Sequence, residues 1–228
     1  MHLTKKLPVP VLAMILVVGC QPADRETDLD VAMDTLPTVT AETHRQQVQE
    51  AIRDTRERVS GRQARISERS EDLWDRISEQ ADETWRNIES GLAQIRGDDP
   101  ESIHRSREDT SRRLAELEAE LAEAEVATAG TPEELRDASD EWLEQIESDV
   151  RQLENLLPHA DVDLDRDDLR DVREHVQEIR ADVQEALAAG EDFEDRREEI
   201  GEDLADLVKD VREARYRLQW RHSGAAGR

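Results

Sequence analysis

The sequence predicts an all-α protein, built as an elongated antiparallel bundle of coiled-coil-like helices with a long N-terminal helix. From residue 41 onward, apolar residues recur every three or four positions and almost never alternate, which is typical of helices with one narrow apolar stripe. Of the 228 residues, 36% are hydrophobic, 39% are charged and 3% are aromatic. Narrow stripes in so charged a chain favour coiled-coil-like packing over a large globular core. With a formal net charge of −26 and one cysteine, the composition also excludes a polytopic membrane protein, a disulfide-stapled scaffold and a basic nucleic-acid binder.

The first helical segment, residues 41–96, is about twice as long as the others. Its C-terminal half carries the richer apolar stripe, which includes Trp74 and Trp85, and we expect this half to join the bundle. Its N-terminal half, residues 41–69, has about one good apolar residue per heptad. We therefore expect residues 41–69 to protrude as a stalk, to self-associate or to fray, with packing into the bundle as the alternative.

Residues 97–222 are predicted to complete the bundle as helical hairpins. Gly97 suits a helix C-terminus, and Asp99 and Thr131 suit helix N-caps because each precedes a proline at the first helical position. The connecting loops are short, so consecutive helices should be antiparallel neighbours. Residues 223–228 are expected to form a disordered tail. The four predicted helices cover residues 101–128, 132–157, 166–189 and 191–221.

The first residues of the chain predict export. Lys5 and Lys6 precede an uncharged run, residues 7–19, that ends at small residues. This run is shorter than the roughly 18 to 20 residues that span a bilayer as a mature helix. A basic start followed by a short apolar run is the arrangement of a secretory signal peptide, which we assign to residues 1–19.

The block Val17-Val18-Gly19-Cys20 resembles the lipobox of bacterial lipoprotein precursors. The resemblance implies that Cys20 receives a thioether-linked diacylglycerol, that the chain is cut before Cys20 and that the new amino terminus is acylated. Residue 21 is Gln rather than Asp, which resembles the pattern of lipoproteins sent to the outer membrane. The resemblance therefore implies an envelope protein anchored by its lipid, most simply at the outer membrane and facing the periplasm, because several acyl chains give stable anchoring.

Residues 20–40 are predicted to be a lipidated cysteine followed by an acidic, flexible tether. This stretch contains five Asp and Glu residues before residue 35, two prolines and little apolar periodicity. Such a composition cannot bury enough apolar surface to fold by itself. We expect the tether to hold the helical body away from the lipid surface.

Basic residues concentrate at two places in an otherwise acidic chain. Residues 43–69 hold seven Arg against four Asp and Glu, and residues 209–228 hold six basic against two acidic residues. We expect these stretches to dock on an acidic envelope partner or on a second copy of the chain. The alternative is that they are solvated helix faces with weak ion pairs. The candidate partner-binding residues are Arg53, Arg56, Arg62, Arg65, Arg212, Arg215, Arg217 and Arg221.

One acidic cluster predicts a cation site. Its carboxylates fall at positions 1, 3, 5, 9 and 12 of an EF-hand-like calcium loop, although Asp168 stands where the loop needs Gly. The alternative is a helix capped by Asp165, because Leu169, Val172 and Val176 already follow helical spacing. The candidate Ca²⁺ ligands are Asp163, Asp165, Asp167 and Glu174.

The sequence offers no recognisable catalytic motif: it has no Gly-rich phosphate loop, no G-x-S-x-G elbow and no H-E-x-x-H pair. We therefore expect no enzymatic activity, no small-molecule substrate and no cofactor beyond the acyl chains on Cys20. The favoured function is that of a lipid-anchored, periplasm-facing scaffold, spacer or adaptor that acts by protein–protein contact. The alternative is an acidic envelope lipoprotein that binds or buffers Ca²⁺ or another metal cation.

Overall fold

The computed structural model describes residues 40–157, 166–188 and 192–222. Six helices and no strand occupy these ranges, so the all-α prediction is confirmed. The helices are α1 (Ala41–Arg69), α2 (Glu71–Gln94), α3 (Pro100–Ala127), α4 (Pro132–Leu156), α5 (Arg166–Ala188) and α6 (Phe193–His222).

Consecutive helices run antiparallel, as the short loops predicted. The ion pairs between α4 and α5 show this directly. Glu154 near the end of α4 pairs with Arg173 near the start of α5, at 2.6 Å. Seven residues back along α4, Glu147 pairs with Arg180, seven residues further along α5. Opposite shifts along the two helices mean opposite directions.

Helices α1 and α3 are second neighbours in the chain and run parallel. His44 Nε2 lies 3.1 Å from Ser106 Oγ near their starts, and Arg62 Nε lies 2.8 Å from Glu125 Oε2 near their ends. Helices α3 and α6 make the most extensive helix contact among the described residues. Aliphatic side chains of both helices, such as Leu121 and Leu204, are completely buried. Helices α1 and α4 pack around this central pair, which places all four helices at one junction.

The prediction of a single helix over residues 41–96 was wrong, because the chain reverses at Ser70. Ser70 has an extended backbone (φ −153°, ψ 100°), and its side chain accepts a hydrogen bond from the amide of Leu73 at 3.3 Å. Ser is a favoured N-cap, and Glu71 and Asp72 add favourable negative charge to the first turn of α2. A single non-helical residue therefore folds α2 back along α1, with neither Gly nor Pro at the break.

The expectation that residues 41–69 protrude as a stalk was also wrong. Val48 and Ile66 of α1 are completely buried, and α1 packs against both α2 and α3. The apolar stripe of α1 has few residues because buried polar side chains occupy the positions between them. Thr55 and Arg62 are buried through hydrogen bonds and ion pairs with other helices.

The helix ends of the α2–α3 and α3–α4 connections follow the predicted signals. Asp99 and Thr131 cap α3 and α4 by accepting hydrogen bonds from the amides of Ser102 and Glu134. Gly97 has a φ of 62°, a conformation that a residue with a side chain rarely adopts. The loops that carry these caps are therefore tight, and each brings its two helices together as neighbours.

The predicted signal peptide (1–19), the tether (20–40) except its last residue, and the predicted tail (223–228) lie outside the described residues. Within the part of the chain that is described, no helix is both long enough and apolar enough to cross a membrane.

Candidate functional site

Ionised side chains are buried where α1, α3, α4 and α6 meet. Glu118 and Glu125 of α3 lie two helical turns apart on one face, and their exposed fractions are 0% and 1%. Asp149 of α4 and the arginines Arg62 and Arg212 are almost as deeply buried. Charged groups are rarely buried to this degree unless they pair with one another. We call this set of buried carboxylates and the arginines that pair with them the junction network.

Glu118 is the centre of the first half of the junction network. Arg58 Nη2 donates to its Oε1 at 2.7 Å, Arg212 Nε lies 2.8 Å from its Oε2, and the Tyr216 hydroxyl donates to Oε1 at 2.6 Å. Burial works to raise the pKa of Glu118, but the two guanidinium groups and the hydrogen bonds outweigh it and lower the pKa. Burial, with the nearby Glu118 charge, raises the pKa of Tyr216 well above its usual range. The carboxylate therefore stays ionised and the phenol stays a neutral donor.

Arg212 bridges Glu118 to a second buried carboxylate. Its Nη1 lies 2.5 Å from Asp149 Oδ2, and its Nη2 donates to Gln145 Oε1 at 3.1 Å. Arg215 Nη1 donates to the other oxygen of Asp149 at 2.8 Å. Burial raises the pKa of Asp149, and the arginines oppose that shift only in part. One arginine of α6 thus holds α3 and α4 at fixed positions.

Glu125 is the centre of the second half of the network. Its carboxylate receives Arg62 Nε at 2.8 Å, Arg65 Nε at 3.0 Å and the indole N–H of Trp142 at 3.0 Å. The Arg62 guanidinium also lies over the Trp142 ring, 4.0 Å from its centroid, which is a favourable cation–π position. Hydrogen bonds from Arg65 lower the pKa of Glu141, which sits at the solvent edge of this half. Helices α1, α3 and α4 are thereby connected through one carboxylate.

The first half of the network reaches solvent through a shallow depression between α1, α4 and α6. Its volume is about 290 Å³. Arg58 and Arg215, each 23% exposed at the side chain, contribute guanidinium groups to its wall. The remaining lining residues come from one face of α4 and from Arg212. In the depression the buried ion pairs meet solvent.

Two of the predicted partner-binding arginines were wrongly placed at the surface. Arg62 and Arg212 are only 4% and 3% exposed, and both pair with carboxylates of the same chain. In the fold, carboxylates of α3 and α4 pair with both of these arginines. These two arginines are internal parts of the structure and offer nothing to a partner.

The other predicted arginines are partly or largely exposed. Arg65 and Arg215 reach solvent while pairing with network carboxylates. Arg217 is exposed and pairs with Glu213 one turn earlier on α6. Arg221 lies in the last turn of α6, and its side chain is outside the described part.

Arg53 and Arg56 are exposed and line a groove between α1 and α2. The groove has a volume of about 630 Å³, and Ile52 and Leu92 supply apolar side chains to it. Arg56 pairs with Glu89 at 3.7 Å, and its guanidinium lies 5.2 Å from the centroid of the Trp85 ring. Arg53 and Arg56 are thus exposed and, unlike Arg65, pair with no carboxylate of the junction network.

The described part of the predicted calcium loop, residues 166–174, is helical. Helix α5 begins at Arg166, so the span from there to Glu174 is helical where a loop should wrap around the ion. Asp167 and Glu174 are exposed on α5, and both lie near Arg170, at 3.1 and 3.8 Å. The helical interpretation of this stretch, with acidic residues in the first turn, is the one that holds. Asp163 and Asp165 lie outside the described residues.

Among the described residues, no group of three or more His, Cys, Asp or Glu side chains is arranged to hold a metal ion. Cys20, the predicted lipidation site, also lies outside them. Comparison with known proteins adds no relative, since no family model, no curated protein and no solved structure matches the chain.

Sequence reasoning missed the carboxylates of the junction network, although their spacing gave a signal. Glu118 and Glu125 fall in step with Leu114 and Leu121 along α3, and Asp149 follows Ile146 by three residues on α4. A charged residue at a position where the apolar stripe should continue indicates a buried charge with a partner. The partners themselves come from other helices, so the spacing could not have identified them.

Proposed function

We propose that this chain is a lipid-anchored, periplasm-facing scaffold or adaptor of the bacterial cell envelope, which acts by protein–protein contact and catalyses no reaction. The lipobox-like block ending at Cys20, and Gln21 after it, support the anchor and an outer-membrane location. A partner or a second copy of the chain would dock on exposed arginines such as Arg53 and Arg56.

The observation that carries the proposal is the way α1 is held in the bundle. This helix follows the tether directly, and its Arg58, Arg62 and Arg65 pair with buried carboxylates of α3. A protein that positions partners relative to a membrane needs a rigid connection between its tether and its contact surfaces. The junction network supplies that rigidity at the first helix after the tether.

The chemistry of the network supports a mechanical role over a catalytic one. A general acid or base works best with a pKa near the working pH. Arg212 and Arg58 lower the pKa of Glu118, which moves it away from that range. Burial raises the pKa of Asp149, but both of its oxygens pair with arginines of the chain. These pairings support a role in holding helices together.

Metabolic labelling with radioactive palmitate tests the anchor. Wild-type protein should incorporate label and partition with the outer membrane, whereas Cys20→Ala should incorporate none. A Cys20→Ala chain that still carries palmitate, or a wild-type chain that carries none, would rule out lipidation at this residue.

Photo-crosslinking in intact cells tests the contact function. A photoreactive residue at Arg53, which is exposed in the α1–α2 groove, should give a discrete crosslinked product. The same residue at Gln184, which is exposed on α5, is the matched control and should give none. Absence of any product from both positions would contradict a scaffold that works through the predicted arginines.

A further inference from the structure

We propose that the depression between α1, α4 and α6 binds a small anion bearing a phosphate group. The proposal rests on charge, on unused hydrogen-bond donors and on size, all at residues of the junction network. It is independent of the scaffold role, because it requires neither the lipid anchor nor a protein partner.

The ion pairs at the depression leave one positive charge uncompensated. Three guanidinium groups, those of Arg58, Arg212 and Arg215, face two carboxylates, those of Glu118 and Asp149. The charge of Asp54 also acts on Arg58, but Asp54 is half-exposed and lies 3.5 Å from Arg53. In a chain with a net charge of −26, this is a local reversal of sign.

One guanidinium group at the depression has nitrogens with no acceptor within the described part of the chain. The Arg215 side chain is 23% exposed there. Arg215 donates to Asp149 through Nη1, and its remaining nitrogens make no hydrogen bond to a described residue. A carboxylate or phosphate oxygen is the acceptor that a guanidinium binds most strongly, so these nitrogens can take an oxyanion from solvent.

The lining chemistry and the size favour a small, highly charged oxyanion. The α4 side of the depression carries the Asp149 carboxylate, whose oxygens pair with Arg212 and Arg215. It also carries neutral polar groups that can donate to oxygen, those of Gln145, Ser148 and Gln152. The volume of about 290 Å³ is at the small end of the range for ligand pockets. A phosphate group presents several oxygens and more charge than a carboxylate, so it can engage Arg58 and Arg215 together.

Calorimetric titration of inorganic phosphate into the full-length chain, in a chloride buffer of low ionic strength, tests the site. We expect saturable binding at a stoichiometry of one. Gln152→Glu should weaken it by about tenfold or more, because it places a negative charge at the exposed mouth without touching an ion pair. Gln184→Glu makes the same charge change on α5, away from the depression, and should leave the affinity unchanged.

A second variant tests the guanidinium directly. Arg215→Gln removes the excess charge and should abolish phosphate binding, while Arg217→Gln, two residues further along α6 and outside the depression, should not. Circular dichroism and the thermal midpoint establish that each variant is folded. If Arg215→Gln fails to fold, Gln152→Glu still decides the question, since its side chain is exposed.

Glycerol 3-phosphate distinguishes the two sources of such a group, a free anion and a phospholipid head. Equal affinity for phosphate and glycerol 3-phosphate supports a site for free phosphate, and tighter binding of the ester supports a head-group site. No saturable binding of either probe overturns the proposal. Equal weakening by Gln152→Glu and Gln184→Glu also overturns it, because the interaction would then reflect net charge.

Discussion

Helix α5 and the four-helix junction are held in the same bundle by different means. Helix α5 buries aliphatic side chains, and its described ion pairs lie at the surface. The Arg180–Glu147 pair, for example, is 34% and 32% exposed. The junction of α1, α3, α4 and α6 buries carboxylates and guanidinium groups at nearly zero exposure. The buried aliphatic residues of α5 are Leu169, Val176, Ile179, Val183 and Ala186.

This difference shows which contacts fix the register of the helices and which only hold the helices together. Aliphatic burial is non-directional, so an aliphatic stripe tolerates small shifts along the helix axis. Buried ion pairs require particular atoms to meet, and a shift of one residue would leave charges without partners. We therefore expect the junction network to fix the register of α1, α3, α4 and α6, while α5 is held mainly by its apolar stripe.

Removal of the Arg212 side chain should lower the free energy of unfolding more than any other change proposed for the two regions. Arg212→Met leaves Glu118 and Asp149 buried with fewer partners, and breaking a buried pair in this way destabilises a protein by roughly 3–5 kcal/mol. Urea denaturation should show the loss in the free energy of unfolding.

The matched control is Arg180→Met on α5, which breaks a pair about one-third exposed and should lower the free energy of unfolding by less than about 1 kcal/mol. Similar losses for the two variants would mean that burial does not distinguish the junction from α5.

Acid should weaken the junction through His44. This side chain is buried against α3 and α6, with Nε2 at 3.1 Å from Ser106 Oγ and the Trp220 ring edge-on at 6.0 Å. Burial, followed by the charges of Arg107 and Arg45, lowers the pKa of His44 to about 4. The unfolded chain takes up a proton near pH 6.5 and the folded chain does not, so stability is lost as the pH falls from about 6.5 toward 4.

We expect a loss of about 2 kcal/mol between about pH 7 and about pH 5, measured by urea denaturation. His44→Gln carries no titrating group and should flatten that part of the profile. An unchanged slope in His44→Gln would show that the acid sensitivity arises elsewhere in the chain.

How much of the fold and of the junction network could be predicted from the sequence depends on how close together in the chain the interacting residues lie. The all-α state and the caps at Asp99 and Thr131 follow from residues three or four positions apart, and these predictions were confirmed. The break at Ser70 is also local, but a serine before two acids is a weaker signal than Gly or Pro. Because the apolar periodicity continues on both sides of Ser70, the pattern predicted one helix and gave no sign of the break.

The junction network could not be predicted, because its pairs join residues that are distant in sequence. Arg62 meets Glu125 and Arg212 meets Asp149 only after four helices have packed. From the sequence alone, a run of arginines predicts a solvated or docking surface, because the carboxylates that pair with them lie on other helices. The same stretch of α1 thus holds Arg62 inside and Arg53 outside, and sequence charge alone treats them alike.

A conservative change in the α5 stripe should have a moderate effect. Ile179→Val removes one buried methylene, which typically costs about 0.5–1.5 kcal/mol. The loss should be the same at about pH 7 and about pH 5, since no charge is involved, and urea denaturation at both values checks this. A loss that grew as the pH fell would indicate that α5 is coupled to the ionic junction.

The smallest expected change in the free energy of unfolding comes from a surface pair on α5. Salt should distinguish that pair clearly from the pairs of the four-helix junction. Arg180→Gln on α5 should lower the free energy of unfolding by a few tenths of a kcal/mol in dilute buffer. The difference from wild type should vanish at about 1 M salt, where the screening length is only about 3 Å. The Arg212→Met difference should largely persist there, because the side chains of Arg212, Glu118 and Asp149 are each at most 4% exposed. If salt removed both differences, ions would screen the Arg212 pairs as well as the surface pair, and burial would not distinguish the junction from α5.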